Sequence, residues 1–203
     1  MPFATDVNWP QGLLTIFNIG RNKNAPLESR YYGPYDSLIN YAMCEGSNFK
    51  FFLAPQTTPD ENYPRDSVDF VVFMVVLNQQ QEPVLIAGIK DDGWAAEADK
   101  RQKADSQMRQ RFDQMLHKCA IPRLYGLSLL GTSLRVYYGD KATGVVTPEF
   151  VDRPDARRVL PPDFLKGQWG LDILSPEGFT KIKEIVAYIK EAANVSSESP
   201  FIQ

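Results

Sequence analysis

The feature that most constrains this chain is a pair of β-rich runs. VDFVVFMVVL at 68–77 and VLIAGIK at 84–90 are separated by the polar turn NQQQEP and closed by Asp91-Asp92-Gly93. Two runs rich in β-branched and aromatic residues around a short polar turn predict a β-hairpin. Residues 95–118 then predict a long polar helix. Its Ala104, Met108, Phe112, Met115 and Leu116 recur at four- and three-residue spacing, the stripe needed to cover one face of a sheet.

Similar patterning extends the sheet. Residues 124–130 and 134–138 flank Gly131-Thr132 and predict a second hairpin, and 49–54 predicts a short aromatic strand. Tyr35, Leu38, Ile39 and Ala42 fall at helical spacing behind Pro34, which suits a first helical position, and Gly46 ends that helix. Ser175 and Pro176 read as N-cap and first residue of a last helix reaching about Ala192. The Pro-rich stretch 140–170 is expected to be irregular. The expected class is α/β (α+β), a mixed central sheet flanked by helices. One domain over 26–192 would stand between an irregular lead-in, 1–25, holding a short strand at 13–17, and a disordered tail, 193–203. A chain of 203 residues and 23.0 kDa suits one domain.

The formal charge of −3 and a pI near 5.3 exclude a protein that holds nucleic acid by bulk charge, so DNA or RNA would need a local basic patch. Cys44 and Cys119 lie far apart without CxxC or Cys/His spacing, which signals neither a zinc site nor a disulfide framework. No signal-peptide pattern or run of membrane-spanning length is present, and the expectation is an intracellular protein of cytoplasm or nucleus.

Aspartate is depleted in strands, so Asp69 marks an edge, a solvated strand end or a site. If the hairpin turns about Gln80 and Gln81, residues whose numbers sum to roughly 161 lie opposite one another. Asp69 and Val71 would then share a face with Gly88 and Lys90, although a one-residue slip would separate them. The competing reading pairs Lys90 with Asp91 or Asp92 in a turn. On the long helix, Lys100, Lys103, Gln107, Arg111, Gln114 and Lys118 follow one side. With Asp99, Asp105 and Asp113 on the same helix, that side reads either as a solvated face or as a flank for phosphate.

The succession YYGPYDSLINYA, SVDFVVFMV, PVLIAGIKDDGW and ADSQMRQRFDQM resembles the PD-(D/E)XK nuclease-like superfamily, in a fungal-type branch. The resemblance implies a restriction-endonuclease-like core and hydrolysis of DNA or RNA phosphodiesters with Mg2+ or Mn2+. By position, Asp69 matches the metal-binding aspartate, Lys90 the lysine that holds the attacking water, and Gln107 a glutamine of the following helix. Lys103 and Arg111 would contact phosphate, and Glu28 resembles an additional metal ligand. The acid expected at 88 is replaced by Gly88. Two functions follow: a metal-dependent nuclease with an incomplete site, or an inactive pseudo-nuclease serving as a nucleic-acid or protein interaction module. His117 has no neighbouring serine or cysteine motif and reads as a surface residue. Tyr31, Tyr32, Tyr35 and Tyr41 are candidates for stacking bases, but their helical spacing suits packing better.

Overall fold

The computed structural model describes residues 2–22, 28–44, 49–54, 73–155 and 157–198. In chain order they form α1 (Pro2–Thr5), α2 (Gln11–Arg21), α3 (Tyr32–Met43), β1 (Phe51–Ala54), β2 (Phe73–Asn78) and β3 (Pro83–Lys90). There follow α4 (Ala98–Met115), β4 (Arg123–Leu130), β5 (Ser133–Asp140), β6 (Val146–Thr147), β7 (Leu171–Asp172) and α5 (Pro176–Glu198). Short 3-10 turns at Glu28–Tyr31, Asp92–Ala95 and Leu116–Lys118 join some of them.

The strands build one mostly antiparallel sheet in the order β1-β2-β3-β4-β5-β6, with β7 also paired to β5. β3 and β4 are its parallel pair, because α4 carries the chain back across the sheet between them. The β2–β3 hairpin has the register read from the sequence: Phe73 faces Gly88 and Val75 faces Ile86, a sum of 161. Residues 69–72 lie outside the described residues, and with them the opposition of Val71 to Lys90. Asn78 shapes the turn, its Oδ1 accepting the N–H groups of Gln80 and Glu82.

Side chains alternate across the sheet. Gly88, Gly126 and Gly139 face α4, where a Cβ would meet Met108, Phe112 or Leu116, so small residues let the helix lie close. Met108 and Phe112, from the predicted apolar stripe, fill that interface. On the opposite face Leu85, Ala87, Ile89, Leu127 and Leu129 are buried in one core with residues of α2, α3 and α5. Tyr31 and Tyr35 are fully buried there, so neither offers a ring to a base.

Two expectations at the ends are corrected. Among the described residues 2–22 the lead-in is largely helical, and 13–17 is not a strand: α2 buries Leu13, Phe17 and Gly20, whose spacing of four and three marks one helical face. The β-branched content of LLTIF is overridden by that face packing onto α3. Residues 193–198 are not disordered, because α5 continues through Glu198. Its start is as read: Ser175 Oγ accepts the N–H of Gly178 and caps the helix.

Candidate functional site

Strand alternation and register bring Gly88 and Lys90 of β3, Ser128 of β4, and Arg135 and Tyr137 of β5 to the face beneath α4. This is the polar face of the sheet. Lys90 is buried at 6% exposure, its ammonium 4.9 Å from the centre of the Trp94 ring. An aromatic face attracts a cation through its quadrupole, which helps hold the charge off water.

The space over Gly88 is filled. A Cβ on Gly88 would lie 2.8 Å from Phe73 Cε1, 3.3 Å from Phe73 Cζ and 3.4 Å from Met108 Cε. Phe73 is itself buried and carries the Arg111 guanidinium 4.8 Å above its ring. Arg111 donates to Gln114 Oε1 at 2.9 Å, and burial pulls its pKa below the ordinary arginine value. Gln107 is half-buried, with an Oε1 that meets no hydrogen-bond donor among the described residues, and Lys103 is half-buried one turn earlier.

The other flank of α4 forms a hydrogen-bonded network around Asp105 that the sequence did not disclose, with Arg135 Nε meeting no acceptor among the described residues. Asp105 is 2% exposed; its Oδ1 accepts from Arg135 Nη1 at 2.8 Å and from the Tyr137 hydroxyl at 2.7 Å. Its Oδ2 accepts from Arg109 Nε at 2.8 Å. Burial, then the charge of Asp105, pushes the Tyr137 phenol far above its usual range. Arg109 continues outward to the carbonyls of Pro148 and Glu149, while Arg101 donates to those of Ala95, Pro162 and Phe164. Trp169 donates to Ser128 Oγ at 3.1 Å and stacks on Arg135. The irregular stretch 148–169 is thereby strapped over the helix. Two signals pointed this way: Asp105 adjoins the apolar stripe, and Arg135 interrupts an otherwise apolar and aromatic strand.

Asp91 and Asp92 do not pair with Lys90. Arg30 Nη2 lies 2.8 Å from Asp91 Oδ2 and 2.5 Å from Asp92 Oδ2, and the Tyr31 hydroxyl donates to Asp92. Asp92 Oδ1 packs on Gly131, where a Cβ would come within 1.6 Å and where φ is +61°. Glycine alone fits there.

Of the residues predicted for the site, Lys90 and Gly88 share one face of β3, and Gln107, Arg111 and Lys103 follow the adjoining side of α4. Asp69 and the side chain of Glu28 lie outside the described residues. The described residues do not fit a divalent metal. Position 88 supplies no oxygen and has no room for one, Asp91 and Asp92 are engaged elsewhere, and no described group of three His, Cys, Asp or Glu side chains could hold an ion. No described helix is long and apolar enough to cross a membrane. Comparison with family models, with curated proteins and with solved structures gives no match.

Proposed function

We propose that this chain is a nuclease-like module that does not hydrolyse phosphodiesters and acts through interaction. The observation that carries this reading is the occupation of the space at Gly88 by the Phe73 ring and Met108. A water-activating metal needs anionic oxygens converging on it, and an aromatic ring provides none. Lys90 is held over Trp94 instead of beside a carboxylate from position 88. Arg111 rests on Phe73 and bonds Gln114, an arrangement that favours packing over phosphate contact.

Strand alternation puts Lys90 and Gly88 on a common face of β3, which suits the nuclease resemblance as it would any strand. Plasmid and single-stranded DNA and RNA, incubated with the full chain in Mg2+ or Mn2+, separate the two readings. The expected result is no cleavage above that of Lys90→Ala. Metal-dependent cleavage lost in both Asp69→Asn and Lys90→Ala would overturn the proposal.

A further inference from the structure

On the sheet face opposite α4, the first residue of β4, the end of β5 and α5 converge on a small aromatic cluster. Arg123 is exposed, with its guanidinium carbon 5.1 Å from the centre of the Tyr138 ring and 5.6 Å from that of Tyr188. Tyr125 completes the wall, its ring centre 5.5 Å from Tyr188 and 6.3 Å from Tyr138. No hydrogen bond or ion pair joins the Arg123 guanidinium, or any of the three phenols, to a described residue. Asp140 is the cross-strand partner of Arg123, but its Oδ1 is turned into the 140–143 turn, where it accepts from Ala142 N–H, Thr143 N–H and the Thr143 hydroxyl.

We propose that Arg123, Tyr125, Tyr138 and Tyr188 form a recognition site for the side-chain carboxylate of an acidic peptide. Stacking on two rings pre-orders the guanidinium, so less side-chain entropy is lost when a ligand is bound. Its planar fork of N–H groups stays open and matches the two oxygens of a carboxylate. Burial raises the Tyr188 pKa, which keeps that phenol protonated and able to donate. Hydrogen bonds from the turn hold the Asp140 pKa below its usual value, so a negative charge stands nearby and opposes a doubly charged phosphate more than a carboxylate. Tyr125 is tilted 49° from Tyr138 and 70° from Tyr188, so it offers no face parallel to either ring on which successive bases could stack. Tyrosine and arginine are also the side chains that anchor protein interfaces.

This site makes no use of the α4 face, so its failure would leave the reading of Lys90 and Gly88 standing. The experiment follows the Arg123 Nε–H and tyrosine ring resonances of the full chain during titration with an end-capped hexaglutamate peptide, the matched hexaglutamine peptide and inorganic phosphate. Hexaglutamate is expected to give saturable shifts at Arg123 and Tyr188, and hexaglutamine none. Arg123→Gln should weaken hexaglutamate binding about tenfold or more, and Arg123→Lys, which keeps the charge without the fork, by less. Equal responses to the two peptides, unchanged affinity in Arg123→Gln, or tighter binding of phosphate than of hexaglutamate would each overturn the proposal.

Discussion

The two flanks of α4 carry similar side chains and differ at one polar group each, the Asp105 carboxylate and the Gln107 amide oxygen. Arg101, Asp105 and Arg109 on one flank find partners on β5 and on the strap, and every oxygen of the buried Asp105 carboxylate is hydrogen-bonded. Lys103, Gln107 and Arg111 on the other flank lie beside a site in which an aromatic ring fills the space at position 88, and the Gln107 Oε1 is left without a donor among the described residues. A buried polar network contributes to stability and specificity when each member is paired, whereas a partly paired one costs free energy. On the first flank the buried carboxylate is fully paired, although Arg135 Nε meets no acceptor among the described residues, and that flank reads as architecture. The second has the form of a site closed by packing.

The largest effect should come from breaking the paired flank. Asp105→Ala leaves Arg135, Arg109 and the Tyr137 hydroxyl buried around a missing acceptor, and removal of one partner from a buried ion pair costs about 3–5 kcal/mol. Urea unfolding at neutral pH measures it; a loss below about 1 kcal/mol would mean that the network does not hold the strap. The same flank sets an alkaline limit. The folded state keeps Tyr137 protonated well above the pH at which the unfolded chain releases that proton, so the unfolded state binds fewer protons there and stability falls as pH rises above about 10. Tyrosinate absorbance should show Tyr137 titrating only as the protein unfolds.

Next in size is the closed site. Gly88→Ala presses a methyl group against Phe73, and overpacking of this kind costs about 1–3 kcal/mol. Gly88→Glu should cost more, since it also buries a carboxylate. Combining either change with Phe73→Ala should recover part of the loss, giving a favourable coupling in a double-mutant cycle. Additive losses would show that the ring does not fill the space at 88. Manganese binding by Gly88→Glu/Phe73→Ala, measured by calorimetry and abolished by Asp69→Asn, would instead reopen the second flank as a metal site.

The contrast between the flanks also explains what could be read from the sequence. The hairpin register, the apolar stripe of α4 and the Ser175 cap were legible because each depends on residues a few positions apart. Asp105 was not, because its acceptor role depends on Arg135 and Tyr137, brought close only when β5 joins the sheet. Its charge on a polar helix resembled a solvated face. The site itself was less legible: Asp69 and Val71, read as sharing the face of Gly88 and Lys90, lie outside the described residues, and the ring that fills the space at 88 belongs to Phe73, its cross-strand partner. The 13–17 segment is helical, and the signal for it is the four-residue spacing of Leu13 and Phe17.

A smaller effect tests how firmly the strap is joined to the sheet. Trp169→Phe keeps most of the ring over Arg135 but removes the N–H that Ser128 Oγ accepts. The expected loss is about 1 kcal/mol, that of one hydrogen bond. A loss of several kcal/mol would mean that Trp169, more than the Asp105 network, fastens the strap.

The smallest expected effect distinguishes the flanks most directly. A buried amide oxygen without a donor carries its desolvation penalty with no return, about 1–3 kcal/mol. Gln107→Met removes that oxygen and preserves the length of the side chain, so stability should stay level or rise by up to about 1 kcal/mol. Gln114→Met is the matched control: it removes the acceptor that Arg111 uses, and should lower stability by a similar amount. If Gln107→Met instead costs more than about 1 kcal/mol, the amide is paired in solution and the two flanks of α4 are alike after all. In that case the closed-site reading would rest on the Phe73 ring alone, and the Gly88 double-mutant cycle would decide it.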